Sequence, residues 1–189
     1  MSNTLLLSID FINDIVHPEG KIASVAAEVS QHAVLDCANQ ALALARQNQI
    51  LCAHVVVGFS SHYIECPQAS PVFGRAPQLG ALQLGQWGTQ IHDALQVLAD
   101  EPLIIKHRVS AFYNTDLETI LRANRVDTLV LMGVSTQMAI ETTAREAHDR
   151  DYQVVILSDA CAAANQQVHQ ASLFSLSRLA RVCRVDQWL

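Results

Sequence analysis

The sequence predicts an α/β protein, a three-layer α/β/α sandwich on a six-stranded parallel sheet. Three observations carry that reading. Short, nearly continuous apolar runs read as strands covered on both faces. They alternate with segments whose apolar residues recur at helical spacing, which implies parallel βαβ units with right-handed crossovers. Half of the 189 residues are hydrophobic and 16% charged, so the chain can form one core-rich domain over residues 1–189.

Taken in order, residues 4–9 (TLLLSI) form the first strand and end at Asp10. Residues 11–20 read as a loop punctuated by Pro18 and Gly20. Residues 25–47 carry Val29, Ala33, Val34, Cys37, Ala41 and Leu44 at helical spacing and read as one long helix. Residues 50–58 form the second strand. Residues 59–88 hold four of the seven glycines and three of the five prolines. An irregular stretch of that length is usually functional or an interaction arm. Residues 90–98 suggest a short helix, and 102–106 the third strand with Pro102 at its start.

Thr115 and Glu118 have the spacing of a capping box for a helix running to about Asn124. Residues 128–132 form the fourth strand and 136–150 a helix, with Glu141/Arg145 and Glu146/Arg150 paired along it. Residues 153–157 form the fifth strand, Asn165 caps a helix to about Leu179, and 181–185 form the sixth strand. The pivot is residues 129–141, LVLMGVSTQMAIE, an apolar run that breaks at a glycine and restarts as a helix. Open α/β sheets bind ligands outside such strand ends, where backbone N–H groups open a helix.

Composition narrows the function. A net charge of −6 argues against nucleic acid, which needs a basic face. No leader-like segment and no membrane-spanning apolar run is present, so a cytoplasmic, soluble protein is expected. The five cysteines contain no CxxC pair and read as buried small hydrophobes, and no metal site is expected. Asp10 and Lys106 each end an apolar strand on one rim of the sheet. A carboxylate there needs a cationic partner, and such a pair is either structural or a poised acid or base. Arg108 is expected to pair with an acid, and His107 to point to the opposite face. Asn13 and Asp14 are expected to act first as loop caps.

The segments SIDFINDIVHPEG, IIKHRVSAFYNTDLE, LVLMGVSTQMAIETTAREAHDRDY and VVILSDACAAA resemble the isochorismatase-like (cysteine hydrolase) superfamily. The resemblance implies a parallel sheet of order 3-2-1-4-5-6, a small-molecule substrate, no cofactor, and a homodimer or homotetramer. It places an Asp–Lys–Cys triad on Asp10, Lys106 and Ala139. Alanine cannot attack a carbonyl, so the covalent amidase route is unavailable. The branch that hydrolyses a vinyl ether also lacks the Cys and uses the Asp as general acid. Lys106, Arg108, Ser110, Ala111 and Phe112, with Trp87-Gly88, look like that branch.

Two features depart from the superfamily. Ile12 replaces a frequent Gln, and GFSSH at residues 58–62 lacks the metal motif of the nicotinamidase type. Arg75 is the one basic residue in 59–88, which argues against a dicarboxylate such as isochorismate. The resemblance also implies a cis peptide at Val134–Ser135, turning N–H groups near Met138 and Ala139 toward substrate. Candidate substrate contacts are Phe11, Trp87, Tyr113, Val134, Ser135 and Met138.

Three functions fit these residues. One is a hydrolase of a small metabolite (vinyl ether, C–N or ester bond) using Asp10, Lys106 and water without a Cys nucleophile. The others are a catalytically silent homologue that binds a ligand or partner, and an engineered Cys-to-Ala variant of a cysteine amidohydrolase.

Overall fold

The computed structural model of the protein describes residues 3–189. Its six strands are β1 (Thr4–Ile9), β2 (Leu51–Val57), β3 (Leu103–Lys106), β4 (Thr128–Val134), β5 (Gln153–Ala162) and β6 (Arg181–Cys183). All pair in parallel, in the order β3-β2-β1-β4-β5-β6. The near-continuous apolar strands at the centre are buried on both faces, as their composition requires. One core packs Leu5, Leu7, Leu129 and Leu131 beneath α5 (Leu117–Ala123) and α6 (Glu141–Asp149). On the other face, Leu6, Val130 and Met132 meet α3 (Val34–Gln47).

Several local expectations are corrected. The loop after β1 contains a turn of helix, α1 (Asn13–Val16). The helix expected over 25–47 is two helices, α2 (Ala26–Gln31) and α3, broken where Ala33 takes a left-handed φ of 50°. No Pro or Gly marks that break, so periodicity ran straight through it. Residues 90–98 are not helical: Ile91 bridges Ile12, and the His92 N–H donates to Phe11 O. That pairing draws the segment back across α1 and overrides its weak helical pattern. A short helix that was not expected, α4 (Ala76–Leu79), lies instead in the irregular stretch.

Thr115 makes no capping box. Its hydroxyl donates to Ala111 O and accepts the Leu117 N–H, while Glu118 pairs with Arg122. Asn165 does cap α7 (Gln166–Leu176), accepting the Val168 N–H at 2.9 Å. Both expected ion pairs on α6 form, Glu141–Arg145 and Glu146–Arg150. β5 runs five residues beyond its expected end at 157, because its pairing with β4 shifts register between Leu131 and Gly133. Cys52, Cys66, Cys161 and Cys183 are buried and Cys37 half-buried, all with free thiols.

Candidate active site

The site lies at the carboxyl ends of β1, β3 and β4, with β2 between β3 and β1. Gly133 makes the approach: a Cβ there would lie 2.1 Å from Ile9 O, and its φ of 130° is open chiefly to glycine. Asp10 follows Ile9 in the left-handed region, at φ 60°, an uncommon conformation that clusters at functional sites. Past Gly133 the Val134–Ser135 peptide is cis, as the family pattern implies. The chain then makes a π-helical turn, Thr136–Ile140, before α6 begins. Thr136, fully buried, pins that turn through a 2.8 Å hydrogen bond between its hydroxyl and His169 Nδ1.

Lys106 Nζ lies 2.8 Å from Asp10 Oδ2, both side chains almost wholly buried. Its ammonium also donates to Arg108 O at 3.2 Å and Val109 O at 3.1 Å. Those three contacts match the three donors of the group. Asp10 Oδ1, by contrast, is buried without a hydrogen-bond partner. Burial pushes the Asp10 carboxyl above the ordinary carboxylate range. The Lys106 charge opposes that rise, with a weaker pull from the Val57 N–H, but does not overcome it. The group therefore holds its proton to higher pH than a free aspartate does.

Asp10, Lys106, Val134, Ser135, Met138 and Ala139 line one cavity of about 230 Å³. The other three expected contacts lie outside that lining. Phe11 is turned into the core beneath α3. Trp87 is 44% exposed and meets His17 edge-on, while Tyr113 is 60% exposed on the surface. Met138 differs in one respect as well: its N–H bonds Ser135 O at 3.1 Å, so that donor stays within the turn.

Sequence reading missed the apolar walls. Ile22 and Val25 come from the loop before α2, and Val72, Phe73 and Leu82 from the irregular stretch. Asp14 ties the two loops together, accepting the Lys21 N–H at 3.2 Å and the Leu82 N–H at 2.6 Å. Gly88 belongs to the same knot, since a Cβ on it would meet Asp14 Oδ2 at 2.2 Å. The signal available was the density of glycine and proline in 59–88, which marked a functional loop but not its wall residues. Asp14 is thus a cap, as expected. Arg108 is not paired with an acid: it donates to the Glu65 and His107 carbonyls. His107 turns away to Gly58 O and stacks on Phe59. Among the described residues, no group of three or more His, Cys, Asp or Glu is placed to hold a metal. Nor is any helix among them long and apolar enough to cross a membrane.

A sequence model of the isochorismatase domain matches residues 4–187. The chain is 39% identical over 136 residues to an uncharacterised isochorismatase family protein, YecD, of Escherichia coli O157:H7, covering 71% of this chain and 70% of that one. It is 29% identical over 187 residues to the ureidoacrylate amidohydrolase RutB of Acinetobacter baylyi, covering 92% and 76%. An isochorismatase family protein from Desulfovibrio vulgaris superposes with a TM-score of 0.88 at 24% identity, over 98% of this chain and 96% of that one. At that identity the superposition speaks for the fold.

Proposed function

The chain belongs to the isochorismatase family of hydrolases, and we propose that it hydrolyses a small metabolite by acid catalysis from Asp10, without a protein nucleophile. The observation that carries this reading is the unpartnered Oδ1 of Asp10, buried at a cavity that Ala139 also lines. A carboxyl whose proton is held by burial, with one oxygen left without a protein partner, is equipped as a general acid. Lys106 positions it through Oδ2 and offsets the negative charge left when the proton departs.

For an enol ether the steps balance as follows. Asp10 gives its proton to the terminal alkene carbon, and the ether oxygen shares the resulting positive charge. Water adds to the cationic carbon and loses a proton to the Asp10 carboxylate. The hemiacetal or hemiketal then breaks to a carbonyl compound and an alcohol. The same carboxylate can instead direct water at an ester or C–N bond, the bond type suggested by the amidohydrolase relative. The proposal extends to a cytoplasmic homodimer or homotetramer with no nucleic-acid or membrane partner.

The experiment is a turnover screen of vinyl ethers, esters and amides with wild type and Asp10→Asn. Hydrolysis that depends on the carboxylate supports the reading, and hydrolysis that survives its loss refutes it. One feature favours a second reading, a ligand-binding homologue without turnover: Ala139 holds a methyl group where the resemblance places the triad's thiol. Saturable binding with no product in any of the three substrate classes would select it. A Cys codon at position 139 of the native gene would instead identify an engineered variant.

A further inference from the structure

Among the described residues, the hydrogen bonding around Lys106 leaves the cavity without a free cation. Its ammonium donors are committed to Asp10 Oδ2, Arg108 O and Val109 O. Asp10 and Lys106 are the two charged residues in the lining. Arg75, the basic residue of the irregular stretch, is not part of it, and Arg108 is spent on backbone carbonyls. The remaining wall is mostly apolar, from Ile22, Val25, Phe73 and Leu82 among others, with hydroxyls at Ser24 and Ser135. At about 230 Å³ the space is smaller than the roughly 300–1,000 Å³ of ordinary ligand pockets.

A carboxylate drawn into this space loses its water and finds no free ammonium donor. A buried charge without a partner is strongly disfavoured. A neutral ligand meets no such obstacle, and it covers the apolar walls. We infer that the substrate is a compact, neutral, largely apolar molecule, and that carboxylate-bearing analogues are excluded. The inference rests on the hydrolase reading in taking this cavity as the substrate's seat.

The test uses two probes of nearly equal size that differ in charge, 4-(vinyloxy)butanamide and 4-(vinyloxy)butanoate. Binding to the whole chain at pH 7 is read by ligand-observed NMR or calorimetry, independently of turnover. The amide is expected to bind at least tenfold more tightly than the acid. Ile22→Arg, which adds a cation on a half-buried wall position, should cut or reverse that ratio within the same folded variant. Equal or tighter binding of the acid by wild type overturns the inference, as does failure of both probes to bind at millimolar concentration. Acetaldehyde release reports separately on the hydrolase reading. A bound amide that yields none leaves the ligand class standing and removes the vinyl-ether route.

Discussion

A buried and a half-buried carboxylate serve the same sheet in opposite ways. Glu101, just before β3, is saturated with donors: Arg46 Nε at 2.9 Å, an Arg46 terminal nitrogen at 2.8 Å, His54 Nε2 at 2.9 Å and the Leu98 N–H at 3.0 Å. Burial works against its charge, yet the Arg46 and His54 hydrogen bonds, with help from Leu98, hold its carboxyl down at about 2. Asp10 has one cationic partner and one bare oxygen, and burial raises it. The cavity is lined by Asp10 but not by Ser8, His54, Arg46 or Glu101. Burial alone therefore does not mark a functional acid. A carboxylate whose four donors are present staples strands together, and one left short of donors at a cavity is available for chemistry.

The largest expected effect tests the unsatisfied member. Asp10→Asn should lower turnover by about 10²–10⁴-fold, the usual contribution of a general acid. At a pH where Asp10 is ionised it should also lower stability by about 3–5 kcal/mol, because Lys106 then keeps a buried charge facing a neutral amide. Adding Lys106→Met should restore most of that stability, read by urea unfolding, and none of the activity. A double variant as unstable as the single one would show that the pair is not an isolated ion pair.

Glu101 should show the reverse pattern. Glu101→Ala strands the Arg46 and His54 donors and should destabilise by about 3–5 kcal/mol. Activity per folded molecule should not change, since none of these groups lines the cavity. A fall in kcat at full folding would erase the contrast between the two carboxylates.

The pH dependence of stability should separate them by sign. Glu101 has its folded pKa lowered from 4.5 to about 2, so its contribution is full above pH 4.5 and disappears as pH falls toward 2. That span corresponds to about 3 kcal/mol, read as the wild-type minus Glu101→Gln difference in unfolding free energy. Asp10 is raised, so its contribution is full below its unfolded pKa near 3.8 and falls as pH rises through the folded value. Acidification should thus weaken the Glu101 staple while favouring the protonated Asp10 carboxyl. Parallel slopes for the two variants would contradict the assignment.

The sheet and the rim were readable because their signals are local. Continuous apolar runs give buried strands, and Asp10, Lys106 and Gly133 stand directly at their ends. The cavity walls were not readable in the same way. Phe73 and Leu82 reach the site through loop geometry held by Asp14 across 68 residues of sequence, and no period records such a contact. Trp87 and Tyr113 drew attention as aromatics near the motifs, yet both are exposed and lie outside the cavity lining. The Glu101 cluster left no sequence mark either, since Ser8, Arg46, His54 and Glu101 lie on four separate segments.

That cluster also sets the smallest and sharpest test. Ser8 Oγ lies 2.6 Å from His54 Nδ1, and His54 Nε2 lies 2.9 Å from Glu101, so the three side chains mimic a Ser–His–Glu relay. Burial lowers the His54 pKa despite Glu101, which favours a neutral ring. With Nε2–H donating to the carboxylate, Nδ1 is left to accept from the Ser8 hydroxyl, a tautomer assigned from the network. A relay of this kind needs its hydroxyl open to substrate, and Ser8 is 3% exposed and outside the cavity lining. Ser8→Ala should therefore cost about 1–2 kcal/mol of stability, the usual penalty for one unsatisfied buried acceptor, with kcat and KM unchanged. A tenfold loss of kcat without loss of stability would instead place the relay in the chemistry and demote Asp10.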